Sequence, residues 1–307
     1  MPAPTVCVIH NPSAARGCVG MTFRRLRRLL GPAAEFQVTH GPEHAMELAE
    51  AAARAGFATV AAAGGDGTVH EVANGLLRAE RPDVCFGVLP MGSGIDYGRA
   101  LGVPFDPRLM CERLLSSDSW RVDVGELSAD GGKGQRFFVN TAGFVMSGAA
   151  TWEARKIKNL RGLMLYGLAA LRAISLHFTS APTTLHIDHQ IRDWPTLYLS
   201  VAVGKAEGGG FVVAPHAKLD DGWFDYLHAG PMSRIRALGY LPRMISGKLP
   251  ENDPLLHRGR CQTLEIEAPV PLMAHVDGEL FATPAEPACR FQIRLHPLRL
   301  RIRGPSA

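Results

Sequence analysis

Residues 59–68 read Thr-Val-Ala-Ala-Ala-Gly-Gly-Asp-Gly-Thr, an apolar run of strand length that ends in a glycine-rich turn. After the turn, Val69, Val72, Ala73, Leu76 and Leu77 recur at offsets 0, 3, 4, 7 and 8, which predicts a helix beginning near Val69. Glycines let the backbone approach a ligand closely, and a strand-to-helix turn directs unpaired N–H groups and the positive helix end toward an anion. The stretch therefore predicts a phosphate-binding turn, although a tight connection without a ligand has the same spacing.

Strand-like and helix-like segments alternate through the first third of the chain, at residues 5–10, 21–30, 35–38, 43–55, 59–63, 69–79 and 84–89. This alternation is typical of a parallel sheet covered by helices. Loops with polar residues or glycines follow three of the predicted strands, at 11–13, 64–68 and 90–94. Because the carboxyl ends of parallel strands meet at one edge of a sheet, we expect these loops to form one crevice.

The pattern changes near Trp120 to short alternating runs, at 183–187, 197–203, 264–267 and 291–296. These runs predict a mainly antiparallel β domain, with one long helix over 152–174 and another over 233–245. A chain of 307 residues exceeds the usual size of one core. We therefore expect an α/β nucleotide-binding domain with a parallel sheet over 1–128 and a β-rich domain over 129–307.

The bulk composition narrows the class of protein. Apolar residues make up 46% of the chain and charged residues 20%, an ordinary globular balance. A net charge of +4 favours anionic partners only mildly, so we expect no nucleic-acid partner. The six cysteines form no CxxC pair, and no apolar stretch is long enough to span a membrane, so we expect a cytoplasmic protein with reduced thiols.

Several catalytic motifs are absent from the sequence. It contains neither GxxxxGK[ST] nor GxSxG, and the residues near Gly92 do not complete GxGxxG. His70-Glu71 begins like the zinc motif HExxH, but Asn74 stands where the second histidine is required. A phosphate-binding turn here must therefore be of another type.

An ordered series of residues along almost the whole chain resembles the diacylglycerol kinase catalytic-domain family, which includes sphingosine and ceramide kinases and bacterial soluble lipid kinases. The series is Asn11-Pro12, 64–68 with Glu71, 90–97, Asp123, Phe138 with Asn140, 208–215, Asp221-Gly222 and Asp277-Gly278-Glu279. The resemblance implies an NAD-kinase-like nucleotide-binding domain and a β-rich lipid domain. It also implies transfer of the ATP γ-phosphate to the hydroxyl of a lipid such as diacylglycerol.

The resemblance also implies the residues of the nucleotide site. They are Asn11, Thr39, Gly64, Gly65, Asp66, Gly67, Thr68, His70, Glu71, Gly92, Ser93 and Asp96. Asp66, Asp96 and Asp123 are similar to the family's acidic residues around the phosphates and the catalytic Mg²⁺. Carboxylates suit this role because phosphoryl transfer depends mainly on positioning and charge neutralisation by a hard cation.

By the same resemblance, Glu279 is the base that removes the proton from the lipid hydroxyl, and Asp277 and Asp123 complete the catalytic group. From the residues alone, Asp-Gly-Glu is more often a polar hairpin turn. The resemblance also implies a second, structural Mg²⁺ on the carboxylate of Asp221 and the main-chain carbonyls of Lys218 and Trp223. A solvated acidic turn explains that segment equally well.

The chain departs from the family at His70 and Ile95, which stand where asparagine is usual. Two alternatives therefore remain: an NAD kinase, and a lipid-binding regulatory protein that has lost turnover. Persistence of the acidic residues and Glu279 favours an active enzyme. Basic residues at 24–28 and 155–161, the latter ahead of an apolar run, suggest peripheral contact with a membrane or, equally, solvated helix faces.

Overall fold

The structure is a computed structural model that describes residues 5–13, 19–92 and 95–306. The chain forms two compact units, Met1–Val122 with Leu298–Ala307, and Asp123–Pro297. The division falls six residues before the expected boundary, 122 against 128, and the end of the chain returns to the first unit. The sequence pattern contained no sign of that return.

The first unit alternates strands and helices. Its elements are β1 (Val6–His10), α1 (Val19–Leu30), a 3₁₀ turn (Gly31–Ala33), β2 (Ala34–Val38), α2 (His44–Arg54), β3 (Thr59–Gly64), α3 (Asp66–Arg78), β4 (Cys85–Pro90), α4 (Asp96–Ala100) and α5 (Pro107–Leu115). The strands run parallel in the order β2-β1-β3-β4. Every residue of β1, β3 and β4 is buried, which explains their unbroken apolar runs and confirms the predicted parallel sheet.

The last strand of the chain, β18 (Arg290–Arg303), adds its final residues to this sheet. Arg301 and Ile302 pair in parallel with Cys85 and Phe86 of β4. The Arg301 guanidinium also donates to the Ser119 hydroxyl at 2.9 Å. These contacts are the physical reason that the C-terminal residues belong to the first unit.

Helix α3 begins one turn earlier than predicted. Its first residue is Asp66, and extended Gly65 precedes it as the N-cap, so the start near Val69 was wrong. Gly67 and Thr68 are therefore helical residues rather than loop residues. The predicted apolar face is confirmed, since Val69, Val72, Ala73, Leu76 and Leu77 are all buried.

The second unit consists mainly of antiparallel strands. Its elements are the part of β5 (Ser119–Ala129) that follows Val122, β6 (Gln135–Phe138), β7 (Thr141–Val145), α6 (Met146–Ala154), α7 (Gly162–Leu176), β8 (Thr184–Ile187), β9 (Gln190–Asp193), β10 (Tyr198–Ala202), β11 (Ala206–Glu207), β12 (Phe211–Val212), β13 (Phe224–Ala229), α8 (Arg234–Ile245), β14 (Leu256–Cys261), β15 (Thr263–Glu267), β16 (Ala274–Val276), β17 (Glu279–Ala282) and the first part of β18. One sheet has the order β14-β13-β10-β7-β16-β17. The other pairs β18 with β15, β15 with β8, and β8 with β9.

Aromatic rings fill the space between the two sheets of this unit. Phe144 of β7 meets Phe291 of β18 edge to face at 5.2 Å between centroids, and Phe281 lies 6.5 Å from Phe291. All three side chains are buried. The packing of two inner faces is the arrangement of a β-sandwich and confirms the expected antiparallel domain.

The helix predicted over 152–174 is in fact two helices, α6 and α7. The chain turns between them because Asn159 and Gly162 adopt positive φ angles of 70° and 54°, which a continuous helix does not allow. Buried Glu153, near the end of α6, accepts hydrogen bonds from Arg172 and His177 on the α7 side at 2.8 and 2.9 Å. The apolar period of 163–171 indicated a helix correctly but gave no sign of this turn.

In the part of the chain that the structure describes, none of the helices has both the length and the apolar character needed to cross a bilayer.

Candidate active site

The glycine-rich turn meets both neighbouring loops in the first unit. The Asn11 amide donates to the Thr68 hydroxyl at 3.2 Å, and the Met91 N–H donates to the Gly64 carbonyl at 2.9 Å. A Cβ on Gly64 would lie 2.3 Å from the Thr68 Oγ1, so a side chain there would displace this hydroxyl. The three loops therefore lie together at the carboxyl ends of their strands, as the sequence predicts.

The amino end of α3 is suited to an anion. The first N–H groups of any helix lack intrahelical partners, and the N-cap residue Gly65 has no side chain that could cap them. They lie in the segment Gly65 to Thr68, directly after a fully buried strand. Backbone N–H groups and the helix dipole together give this turn the chemistry of a phosphate site.

Asp66 joins this turn to the start of α4. Its carboxylate accepts hydrogen bonds from the main-chain N–H groups of Asp96 and Tyr97, at 3.2 and 3.4 Å. Asp96 is buried and lies 3.5 Å from the Arg99 guanidinium. Two of the predicted acidic residues therefore adjoin each other, whereas Ser93 lies outside the described residues.

Three other residues that were predicted to contact the nucleotide are buried or hydrogen-bonded to other parts of the protein. Thr39 and His70 are buried, and the Thr39 N–H donates to the His10 carbonyl at 2.9 Å. The Glu71 carboxylate accepts the N–H groups of Glu43 and Ala45, both at 3.0 Å, at the start of α2. Glu71 thus stabilises a helix terminus, and the nucleotide role of these three residues stays a prediction.

Ile95 is also buried, as the N-cap residue of α4. An apolar side chain fits this position because it packs inside the unit. The loss of an asparagine amide at this position therefore does not disrupt the local structure.

In the second unit, Asp277 and Gly278 form a two-residue hairpin turn between β16 and β17. Val276 pairs with Glu279, and the two turn residues have φ angles of 50° and 81°. Positive φ at both central positions defines a type I′ turn, for which Asp-Gly is a favoured sequence. The turn fixes Glu279 as the first residue of β17.

The Asp277 carboxylate is committed to the protein backbone. It accepts N–H groups from Val139, Asn140 and Thr141 at 3.0, 2.9 and 3.0 Å, and the residue is buried. These contacts tie the turn to the start of β7. These hydrogen bonds indicate that Asp277 positions the turn, and a catalytic role for Asp277 stays a prediction.

Glu279 remains accessible. Its side chain is 36% exposed and contacts the guanidinium of Arg155, which is 53% exposed. A partly exposed carboxylate that an incoming hydroxyl can reach is able to accept its proton.

An apolar pocket with a cavity volume of about 130 Å³ lies inside the second unit. Its walls come from α6, α7, α8 and the six-stranded sheet, and include Ile174, Leu197, Leu241 and Met244. Gly278 also lines it, directly before Glu279 in the chain. The pocket therefore combines walls suited to an alkyl chain with an end adjacent to the predicted base.

The polar end of this pocket contains residues that sequence reasoning missed. The Glu207 carboxylate accepts hydrogen bonds from the hydroxyls of Ser147, Tyr198 and Ser200 at 2.7, 2.8 and 3.0 Å. His275 lies beside them, 2.8 Å from the Ser147 hydroxyl, and burial lowers its pKa. The only signal in the sequence was an acidic residue directly before the glycine run 208–210, since the other members are far apart in the chain.

The predicted metal residues Lys218, Asp221 and Trp223 lie on one turn of the second unit, and Asp123 of β5 contacts this turn. The Asp123 carboxylate accepts the Gly222 N–H at 2.7 Å, and the Asp123 N–H donates to the Leu219 carbonyl at 2.7 Å. The Asp221 carboxylate contacts the Arg260 guanidinium and accepts the Trp223 N–H at 3.3 Å. Arg260 is thus the cationic partner of Asp221 here, and a Mg²⁺ bound by Asp221 with Lys218 and Trp223 stays a prediction.

A preformed metal cluster is also absent elsewhere in residues 5–13, 19–92 and 95–306, where no three His, Cys, Asp or Glu side chains come together. The predicted nucleotide residues belong to the first unit, and Glu279, Asp277 and Asp123 belong to the second. The chain therefore combines an α/β unit, with a glycine-rich turn at the start of a helix, and a β-sandwich unit with an apolar pocket.

Comparison with known proteins assigns the chain to a family. Residues 5–127 match the diacylglycerol kinase catalytic domain, and residues 142–302 match the YegS C-terminal NAD kinase beta sandwich-like domain. The chain therefore belongs to the diacylglycerol kinase catalytic-domain family, in the group with the YegS-type C-terminal domain. It is a member of a family of lipid kinases, and kinases of this family use ATP.

Individual relatives agree with this assignment. The chain is 30% identical to "Probable lipid kinase YegS-like" of Pseudomonas aeruginosa over 97% of this chain and 93% of that protein. It is 24% identical to "Diacylglycerol kinase" of Staphylococcus saprophyticus over 89% and 88%. A crystal structure of a Bacillus anthracis diacylglycerol kinase shares the fold, with a TM-score of 0.73 at 19% identity over 99% and 98%.

Proposed function

We propose that this protein transfers the γ-phosphate of ATP to the hydroxyl of a membrane lipid, with diacylglycerol as one candidate acceptor. The observation that carries the proposal is the apolar pocket, which is lined by Gly278, the residue before Glu279. An alkyl chain in this pocket would leave a headgroup hydroxyl near a carboxylate. A dinucleotide such as NAD has no alkyl chain to fill these walls.

In this proposal the first unit binds ATP. The N–H groups at the start of α3 receive the phosphates, and the Asn11–Thr68 contact holds the turn in shape. Asp66 and Asp96 are the described carboxylates of this unit that would hold Mg²⁺, which when bound supplies charge neutralisation at the phosphates. Asp123 is a further candidate ligand.

Glu279 acts as the general base. It accepts the proton of the lipid hydroxyl as the hydroxyl oxygen bonds to the γ-phosphorus, and the bond to the ADP oxygen breaks. Asp277 positions Glu279, since it fixes the turn through three backbone N–H groups. The Arg155 guanidinium contacts the Glu279 carboxylate in the absence of substrate.

A panel of acceptors tests the class of reaction. Purified protein with ATP labelled at the γ-phosphate is expected to label diacylglycerol, or another lipid alcohol, in mixed micelles and to leave NAD unlabelled. Labelling of NAD alone would establish the NAD kinase alternative. Binding of lipid without labelling of any acceptor would indicate a regulatory protein that has lost turnover.

We further propose that the outer faces of α7 and α8 contact the membrane. Met164, Leu168 and Leu171 on α7 are 71, 40 and 44% exposed, and Ile235 on α8 is 83% exposed. The other sides of the same helices line the apolar pocket. Neither helix carries an acidic residue, and α8 carries three arginines, so the surface complements anionic lipid on the cytoplasmic side, where ATP is available.

Replacing Met164 and Ile235 together with aspartate is expected to lower binding to anionic phospholipid vesicles by about tenfold or more, because two apolar contacts are lost and two negative charges are gained. Co-sedimentation with the vesicles measures this. Ile191→Asp is the matched control, since Ile191 is 61% exposed on β9, away from both helices in the chain. Equal loss of binding by the control would contradict the assignment of this surface.

A further inference from the structure

We propose that Glu207 is the recognition site for a cationic amine, so that the pocket accepts lipids whose headgroup carries an ammonium group close to the reacting hydroxyl. The catalytic part of this statement rests on the proposed lipid kinase function. The binding part does not, because it concerns only the pocket and its charge.

The hydrogen bonds at Glu207 are those of an ionised carboxylate. The hydroxyls of Ser147 and Tyr198 donate to Oε1, and the Ser200 hydroxyl donates to Oε2. Both oxygens therefore act as acceptors, which is the arrangement that a carboxylate requires. Oε2 has one donor where Oε1 has two, so it has more room to accept another.

The three donors are neutral groups. The Tyr198 pKa is raised well above its usual value, first by burial and then by the neighbouring Glu207 carboxylate, so Tyr198 keeps its proton. Serine hydroxyls carry no charge. The hydrogen bonds thus satisfy Glu207 without neutralising it.

His275 is the basic residue nearest to Glu207 among the described ion pairs, with its Nε2 at 3.9 Å from the Glu207 Oε2. The Gly278 N–H donates to its Nδ1 at 3.2 Å, so Nδ1 carries no proton. The Ser147 hydroxyl gives its own proton to Glu207 and therefore accepts from the His275 Nε2 at 2.8 Å. A histidine protonated only at Nε2 is neutral.

The pocket therefore holds one negative charge with no positive partner in the described residues, inside walls that are otherwise mainly apolar. An uncompensated charge in such surroundings is unfavourable unless a cation joins it. A ligand ammonium group would supply that cation, and its alkyl chain would lie along the apolar walls. A neutral glyceride would occupy the walls but leave the charge unpaired.

Gly278 connects the Glu207 end of the pocket to the predicted base. It lines the same pocket, donates a hydrogen bond from its N–H to the His275 Nδ1, and directly precedes Glu279 in the chain. A headgroup whose amine lies at Glu207 therefore has its neighbouring hydroxyl on the side of the pocket where the predicted base begins its strand.

The test uses the full-length protein without ATP and two probes of equal chain length, dodecylamine and dodecanol. Calorimetric titration is expected to show about 10- to 100-fold tighter binding of the amine than of the alcohol by the unmodified protein. Glu207→Gln keeps the shape of the side chain and is expected to abolish this preference, with little change for the alcohol. Glu286→Gln removes an exposed carboxylate of the same unit and is expected to keep the preference.

Equal binding of the two probes by the unmodified protein would overturn the inference, and this comparison does not depend on the folding of any variant. A preference that persists in Glu207→Gln would overturn it as well. A second assay separates it from the proposed function. If the amine preference is found but no lipid alcohol is phosphorylated, the binding site stands and the kinase proposal falls.

Discussion

Replacing Glu279 with glutamine is expected to lower the rate of phosphoryl transfer to a lipid by about 10²- to 10⁴-fold, the usual contribution of a positioned general base. Glutamine has nearly the same shape but cannot take the proton of the hydroxyl. The side chain is partly exposed, so the fold should tolerate the change. Initial rates of lipid phosphorylation with saturating ATP measure the effect.

ATP binding is the control for this variant. The predicted nucleotide residues are in the first unit and Glu279 is in the second, so the dissociation constant for ATP should stay the same. Arg155→Lys is the matched variant on the partner side and should lower the rate much less, because a cation remains beside Glu279. A near-normal rate in Glu279→Gln would remove this residue from the mechanism.

Replacing Asp277 with alanine is expected to lower the free energy of unfolding by at least about 3 kcal/mol, because a buried donor left without its acceptor costs about 1–3 kcal/mol. Three buried main-chain N–H groups, of Val139, Asn140 and Thr141, lose their acceptor at once. Alanine is also strained at a φ of 50°. Urea unfolding followed by circular dichroism measures the loss.

Asp188 offers a close control for this prediction. It occupies a turn with a φ of 49° and its carboxylate accepts the N–H groups of Gln262 and Thr263 at 3.0 and 2.9 Å, but it is exposed. Water can replace those hydrogen bonds, so Asp188→Ala should destabilise the protein by only about 1 kcal/mol. Similar losses in the two variants would show that burial of the Asp277 contacts is not what stabilises the turn.

The strands of the first unit could be predicted from the sequence because each is buried on both faces. A fully buried parallel strand needs an unbroken apolar run, and 59–63 and 84–89 have one. The Asp277-Gly278 turn was also visible, since few other dipeptides adopt positive φ twice in succession. The resemblance to a kinase family, confirmed by the comparisons, came from such local motifs in a fixed order.

The start of α3 could not be read from apolar spacing, because its first turn consists of the small and polar residues Asp66, Gly67 and Thr68. The break between α6 and α7 depends on Asn159 and Gly162, whose positive φ angles leave no apolar signal. In both places the hydrophobic period predicted a helix correctly and gave its ends wrongly.

The residues at the polar end of the pocket could not be predicted from the sequence for another reason. Ser147, Glu207 and His275 come from separate parts of the chain and meet only through the antiparallel sheet. The Asp277 and Glu71 carboxylates likewise accept hydrogen bonds from main-chain N–H groups that are far away in the sequence. The resemblance to the family indicated a function for Asp277 and Glu71, but only the folded chain shows which main-chain groups donate hydrogen bonds to them.

In the proposed reaction, the hydroxyl of a lipid receives the γ-phosphate of ATP at Glu279. The most direct measurement compares the unmodified protein with Glu279→Gln in mixed micelles of a lipid alcohol, with labelled phosphate counted in the extracted lipid. We expect labelled phospholipid from the unmodified protein and at most about one hundredth as much from the variant. Equal labelling by both proteins, or labelling that stays in the aqueous phase throughout, would contradict the account.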